Sequence, residues 1–361
     1  MLESPIDPFD PRGELLREAA LIIWDEAPMA NRAVLACVEE TCRLVMGNDL
    51  PFGGKVVVLL GDFRQTCPVI RRGSRAQVVD ASIKSSPLFP LFTIFELTEP
   101  IRNAEDLEFA KFVDDIGDGA GPEIQLDILS SVYTSGAVTE FVYPPEVLSD
   151  PVACLSRVIL APTNQQVNFY NDRILPAVNE DSLKEVEDLG LDAPDGILDY
   201  VAKNAPPGLP PHSLTVKTNS IFRLLRNFSV DRGLVKNIRV AVTHVGTRLI
   251  TVRLLRGISG GERHVDDEDI LIPRIAFTTT LPSGHSLLRY QFPLAPAYAT
   301  TFNSCQGLTL DIVGVDLTRP VFSHGQLYTA FSRIRHRAHA RVRLRPGETT
   351  TTNVTYNEIL L

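Results

Sequence analysis

Cysteine is scarce and unpaired in this chain. The five residues Cys37, Cys42, Cys67, Cys154 and Cys305 form no C-x-x-C pair and have no histidine partners at metal-ligand spacing. Neither a zinc site nor a disulfide framework is indicated, and reduced thiols are expected. Long apolar runs are missing as well, since none approaches the roughly 18 residues of a membrane span. The first residues, Met1-Leu2-Glu3-Ser4-Pro5, lack the basic-then-apolar order of a secretory leader, so an intracellular protein is expected. Positive charge is in deficit: the net charge is −9 and the isoelectric point about 5.4. That argues against coating of nucleic acid by bulk charge and directs attention to local positive potential. One such concentration exists, with Arg333, Arg335, Arg337, Arg341, Arg343 and Arg345 in a short stretch. A solvated strand face and a nucleic-acid surface are equally open readings of it. Repeats and low-complexity tracts are absent.

What is present is α/β texture. At 361 residues and 44% hydrophobic content the chain can build two domains or one large one. Leu21-Ile22-Ile23-Trp24 runs into Asp25-Glu26, and Val56-Val57-Val58-Leu59-Leu60 runs into Gly61-Asp62-Phe63-Arg64-Gln65. Short β-branched runs closed by turn residues read as buried parallel strands, whose C-terminal ends bind ligands in open α/β sheets. A short helix is expected over 11–19, and another over 29–46, where Ala33, Val34, Cys37, Val38, Cys42 and Val45 recur near 3.6 spacing; Asp49-Leu50-Pro51-Phe52-Gly53-Gly54 then breaks the pattern.

A domain boundary is expected near residue 103, followed by a helix with Leu107, Phe109, Phe112, Val113 and Ile116 as its apolar stripe. A third strand, Val158-Ile159-Leu160, ends in Ala161-Pro162-Thr163-Asn164 ahead of a helix carrying Val167, Tyr170, Ile174 and Leu175. Proline and glycine turns between short alternating segments suggest a small inserted β-barrel over 204–290. The α/β pattern resumes with Gly314-Val315-Asp316 and a helix from Gly325 to Ser332. The expected domains are thus 1–103, a second α/β domain formed by 104–203 and 291–361, and the insertion.

The chemistry sits at the strand ends. Adjacent carboxylates such as Asp25-Glu26 suit a Mg²⁺-nucleotide site, one holding the metal and the other orienting and deprotonating water. Gln65 offers a neutral donor and acceptor for a γ-phosphate or a polarised water. Asp62 beside it reads equally well as a turn former. Arg102 and Arg333 are candidate charge stabilisers, because a guanidinium presented across a domain cleft neutralises charge building on a γ-phosphoryl group.

These residues also spell out a family. Leu21-Ile22-Ile23-Trp24-Asp25-Glu26-Ala27-Pro28-Met29, Gly61-Asp62-Phe63-Arg64-Gln65, the run from Tyr298 to Leu310 and the run from Val321 to Arg333 resemble helicase motifs in their proper order. Together they resemble the PIF family of superfamily 1 DNA helicases, including the helicase of Helitron transposons. The segments Gly208 to His212, Leu224 to Asn227 and Arg289 to Leu294 extend the likeness over nearly the whole chain. The resemblance implies two RecA-like P-loop NTPase domains, the first truncated at its N-terminus, with a small β-barrel inserted in the second. It implies ATP and Mg²⁺ in the cleft, 5′-to-3′ unwinding, single-stranded or forked DNA as partner, no membrane, a monomer and a nuclear location. By resemblance Asp25 holds the metal, Glu26 the water, Gln65 senses the γ-phosphate, and Arg102 and Arg333 reach the phosphates. Pro162, Thr163, Asn164, Thr301, Ser304, Gln306 and Gly307 fall where the family holds the DNA backbone or couples it to the nucleotide, as hydroxyls, amides and a glycine suit contacts that do not read sequence.

Departures from the family are equally plain. The phosphate-cradling G-x-x-x-x-G-K-[ST] occurs nowhere, and Gly54-Lys55 precedes Val56 without the upstream glycine. The likeness begins just before the family's acidic strand, so the first sheet is expected to lack its central strand. The family's Asn-Met-Arg reads Pro100-Ile101-Arg102, its Asn-Lys-Ser-Gln-Gly reads Asn303-Ser304-Cys305-Gln306-Gly307, and its Asn-Gly turn reads Lys236-Asn237. Two expectations follow: an ATP-dependent helicase of which this chain is an incomplete gene model or one part, or a transposon-derived remnant that does not hydrolyse ATP and at most binds single-stranded DNA.

Overall fold

Leu21–Trp24 and Val56–Leu59 pair as parallel strands in the register Leu21↔Val56 to Trp24↔Leu59. The computed structural model describes residues 2–70, 73–177, 184–187, 209–257, 263–266, 268–280, 286–308 and 310–360. The expected 203/204 boundary, Gly208 and Thr309 lie outside these residues. Two compact units emerge, one of residues 1–128, 320–336 and 349–361, the other of 129–319 and 337–348.

In the first unit the helix Arg32–Met46 crosses between the two strands. Asn31 caps it by accepting the Ala33 N–H, and Gly47 closes it at φ +64°. It begins later than the 3.6 spacing suggested because Ala27–Met29 forms a separate 3₁₀ turn. Leu35, absent from the expected stripe, is fully buried alongside Cys42, whereas Val34 is exposed. Leu35, Cys42, Ala27, Phe52 and Ile83 pack with Ile22, Trp24, Val57 and Leu59. Only one face of the strands is therefore covered. Leu21, Ile23, Val56 and Val58 project outward and are exposed, which corrects the expectation of strands buried on both faces. Among the described residues the first unit pairs only these two strands in parallel.

The helix Leu107–Gly117 starts at Asp106, whose carboxylate accepts the Phe109 N–H. It buries Phe109, Ala110, Val113 and Ile116, while Leu107, expected in the stripe, stands in solvent at the first turn. This helix packs on the short helix Gln326–Phe331, so the expected boundary near residue 103 falls inside the first unit, and 320–336 and 349–361 fold into it as well.

The second unit carries the larger sheet. Ala299–Thr301, Arg157–Ala161, Ile312–Asp316, Ala340–Arg343 and Ser131–Val132 lie side by side in that order, every pair parallel. Val158, Ile159, Leu160 and Ala161 are all buried, as a strand covered on both faces requires. Helices Ser135–Val142 and Asn164–Ile174 pack against it. Between the latter helix and strand Ala299–Thr301 the chain builds an antiparallel sheet from Ile221–Leu224, Arg239–Val245, Leu249–Gly257, Arg263–Val265, Ile270–Pro273 and Leu294–Pro296, with a β-bulge between Thr251 and Val252. The insertion is fastened to the parallel sheet by Tyr298, whose hydroxyl accepts the Ile221 N–H at 3.1 Å, and by Arg239, which donates to the carbonyls of Leu155 and Arg157 at 2.8 and 3.2 Å.

Candidate functional site

The two strand ends of the first unit are bound to each other. Leu60 N–H donates to Trp24 O at 2.9 Å and Ala27 N–H to Leu60 O at 2.9 Å, so the Asp25-Glu26 turn lies against Gly61. Gly61 is required by contact: a Cβ there would stand 2.2 Å from Pro28 Cδ. Glu26 occupies the left-handed region at φ +51°, ψ +35°, unusual for a side chain of its size, and its N–H donates to Asp25 Oδ1 at 2.9 Å. Its carboxyl is raised above the usual range, first by burial and then by the charge of Asp25, while Arg333 and Arg102 pull it back down. Glu26 thus lies in the field of both arginines.

Those arginines share an anchor that the sequence did not single out. Arg102 Nη1 donates to the Ser332 carbonyl at 2.7 Å, and Arg333 Nη2 to the Ser332 hydroxyl at 3.0 Å. Arg333 is buried and meets no carboxylate within ion-pair distance among the described residues, so Glu26 acts on it only from further away. Asp62 serves as a turn former. Its Oδ1 accepts the Arg64 N–H at 2.9 Å, and its Oδ2 accepts the Tyr328 hydroxyl at 2.6 Å. Gln65 is half-buried at the end of this turn, its N–H donating to Asp62 O at 3.1 Å.

The same loop is held from the 320–336 segment. His324 Nε2 donates to Phe63 O at 2.8 Å, and its Nδ1 accepts the Tyr356 N–H at 2.8 Å. Gly325, at φ +69°, passes so close to the Gln65 carbonyl that a Cβ would stand 2.4 Å from its oxygen. Gln326 braces the turn by accepting the N–H groups of Phe322 and Ser323 at 3.0 and 3.2 Å. His324, Gly325 and Tyr328 were visible in the sequence only as members of a motif; their contacts are long-range and leave no local periodicity.

The donor set suits the phosphates of a nucleotide. Two adjacent carboxylates, an amide and two guanidinium groups converge on one unit, although among the described residues no group of three or more His, Cys, Asp or Glu is placed to hold a metal. Lys55 has no phosphate role, since its ammonium donates to the carbonyls of Arg17 and Ala19 at 2.6 and 2.7 Å.

In the second unit, the residues expected at the DNA backbone gather at the C-terminal ends of two paired parallel strands, where Ala161 stands opposite Thr301. Pro162 is buried and Asn164 exposed. Thr163 caps the helix Asn164–Ile174, and Thr301 caps the turn Phe302–Cys305 with its hydroxyl 3.0 Å from Ser304 Oγ. Gly307 stands at φ +74°, and Gln306 is half-buried beside it. Both were also expected at the nucleotide; they belong to this second unit, not to the one holding Glu26.

Beneath Thr163 runs a polar chain that sequence reading missed. Thr163 donates to Gln166 Oε1 at 2.8 Å, Gln166 to Thr318 Oγ1 at 3.4 Å, and Thr318 to Asp316 Oδ1 at 2.6 Å. The fully buried Asp316 also accepts Tyr170 Oη at 2.7 Å and Arg343 Nη1 at 2.9 Å. This settles much of the arginine-rich stretch. Arg343 pairs with Asp316, Arg345 with Glu348 at 2.6 Å, and Arg341 lies over the Phe141 ring, so these three are structural.

Two α/β units, the second with a five-stranded parallel sheet and an antiparallel insertion, define a RecA-like α/β fold. Solved structures agree: the Bacteroides Pif1 helicase in complex with ADP-AlF3 and ssDNA superposes with a TM-score of 0.68 at 22% identity, covering 99% of this chain and 76% of that one. The Pif1 helicase of Candida albicans gives 0.62 at 21%, covering 96% and 77%.

The PIF1-like helicase family model matches residues 5–126. Among curated proteins, the ATP-dependent DNA helicase PIF1 of Xenopus laevis is 28% identical over 328 residues, 89% of this chain and 46% of that protein. Its Mus musculus counterpart is 27% identical over 317 residues, 87% and 44%, and Pif1 of Bdellovibrio bacteriovorus 26% over 323 residues, 89% and 65%. The chain is similar to PIF1-like helicases over these spans and covers less than half the length of the vertebrate relatives.

Proposed function

We propose that this chain supplies most of the motor of an ATP-dependent DNA helicase working 5′ to 3′ as a monomer in the nucleus. The observation that carries the reading is electrostatic: Glu26, beside Asp25 at a strand end, feels Arg333 and Arg102, which are anchored together on Ser332. Asp25 would hold Mg²⁺, directly or through water, and the ion when bound would neutralise charge on the β- and γ-phosphates. Glu26 orients the attacking water and takes its proton, a role its raised affinity for protons favours. Gln65 contacts the γ-phosphate, and Arg102 and Arg333 stabilise the charge that builds as it departs. In the second unit Pro162, Thr163, Asn164, Thr301, Ser304, Gln306 and Gly307 hold the sugar-phosphate backbone of single-stranded or forked DNA.

A second reading is a strand-binding protein without turnover. Fusing the phosphate-loop segment of a PIF1 relative ahead of Met1 separates the two. DNA-stimulated ATP hydrolysis that disappears in Glu26→Gln and Arg333→Ala is expected. A folded chimera that binds nucleotide without hydrolysing it would leave only strand binding. The unfused chain is expected to show background hydrolysis and salt-sensitive, sequence-indifferent binding to single strands; a footprint confined to one sequence would overturn the backbone assignment.

A further inference from the structure

The second unit contains a cavity of about 80 Å³ whose lining includes Arg223, Asn237, Arg239, Thr300, Ser304 and Gln306. Two arginines meet there without a counter-charge. Among the described residues neither Arg223 nor Arg239 has a carboxylate within ion-pair distance: Arg223 Nη1 donates to Asn237 Oδ1 at 2.9 Å, and Arg239 Nη1 holds the carbonyls of Leu155 and Arg157. Arg223 Nε is enclosed by protein and makes no hydrogen bond among the described residues. Burial and the neighbouring charge of Arg239 both weaken the hold of Arg223 on its proton. Arg239 is buried and Arg223 half-buried, on paired positions of adjacent strands, and two guanidinium groups lining one cavity repel unless an anion lies between them. Asn237 shapes the rim from φ +70°, the left-handed position where the family resemblance implies a glycine, and its side chain is what receives Arg223. At the mouth stands Ser304, exposed and hydrogen-bonded to Thr301.

We propose that this cavity is a phosphate site, in which Arg223 and Arg239 take one backbone phosphate of a single strand lying over Thr301 and Ser304. The assignment rests on the reading of the second unit as the strand-binding surface and adds to it two residues that no motif marks. Guanidinium groups match phosphate oxygens in fork geometry, and the hydroxyl and amide neighbours add further donors for a tetrahedral anion's oxygens.

The test uses the whole chain and a labelled twelve-residue oligothymidine across a salt series. Arg223→Gln is expected to bind about tenfold more weakly at low salt, with the slope of log K against log salt smaller by about 0.7, the share of one phosphate contact on a single strand. In the unaltered protein, the oligonucleotide is expected to shield Arg223 from phenylglyoxal, read by mass spectrometry, which keeps the test open should the variant fold poorly. Failure of the unaltered protein to bind the oligonucleotide overturns the strand-binding reading and the pocket with it. Binding with unchanged slope in Arg223→Gln, or with Arg223 still modified, overturns the pocket alone.

Discussion

The Tyr328 hydroxyl donates to the Asp62 carboxylate at 2.6 Å, joining residues that are 266 positions apart in sequence. The bond holds the loop that ends in Gln65, and burial together with Asp62 raises the phenol far above its ordinary range. Tyr328→Phe keeps the ring beneath the Arg64 guanidinium, 4.8 Å from its centroid, and removes only the donor. The expected cost is about 1.5–3 kcal/mol, the worth of a hydrogen bond to a charged group. Urea unfolding of the variant measures it, and an unchanged midpoint would show that the loop is held by other contacts.

His324 gives the first unit a pH dependence of definite sign. Because Nδ1 accepts from Tyr356, the ring is neutral with its proton on Nε2, and protonation would set a second donor against that N–H. Burial, followed by the nearby charge of Arg75, lowers its affinity for protons below the ordinary 6.5 despite the Phe63 carbonyl and Asp62. Its stabilising share is therefore complete above about pH 6.5 and is lost as pH falls toward the folded value. Thermal midpoints taken from pH 7.5 to 5.5 should fall in the unaltered protein and fall less in His324→Gln.

Glu26 combines backbone strain with a crowded carboxylate. Asn tolerates the left-handed region better, so Glu26→Asn should raise stability by roughly 0.5–1 kcal/mol while ending any hydrolysis that a completed site performs. The sign with pH is opposite to that of His324. A carboxyl raised in the fold costs stability as pH climbs from its unfolded value of 4.5 through its folded one, and the variant should lack that decline. Calorimetry between pH 4 and 7 reads both effects; a less stable variant would mean that the Glu26 side chain supports the turn.

Thiol reactivity should follow enclosure. Burial pushes Cys67 and Cys154 up to about 12, whereas Cys37 is half-exposed on the helix Arg32–Met46. Maleimide at pH 7.5 should label Cys37 first and leave Cys67 and Cys154 until the protein unfolds. Early labelling of Cys154 would place its helix in an opened state.

The strands, the helices and the chemistry-bearing ends were legible because each is local: a β-branched run, a 3.6 period, an acid after an apolar segment. Pro162, Thr163 and Thr301 were placed by order alone, and the parallel register of Ala161 with Thr301 brings them together. The rest depends on distant pairs. Nothing near Ser332 signals that Arg102 will bond its carbonyl from 230 positions away, and nothing near Thr318 signals Gln166, 152 positions off. Leu35 escaped the stripe because helix Arg32–Met46 is wound from Asn31, after a separate turn had used Ala27–Met29.

The outward side of the paired strands has a practical consequence. Leu21, Ile23, Val56 and Val58 form a small greasy patch on a ribbon too narrow to be stable by itself. In concentrated solution such a patch promotes clumping, so this polypeptide should be handled dilute, and charge placed at Ile23 or Val56 would improve its keeping qualities without touching Glu26 or Gln65.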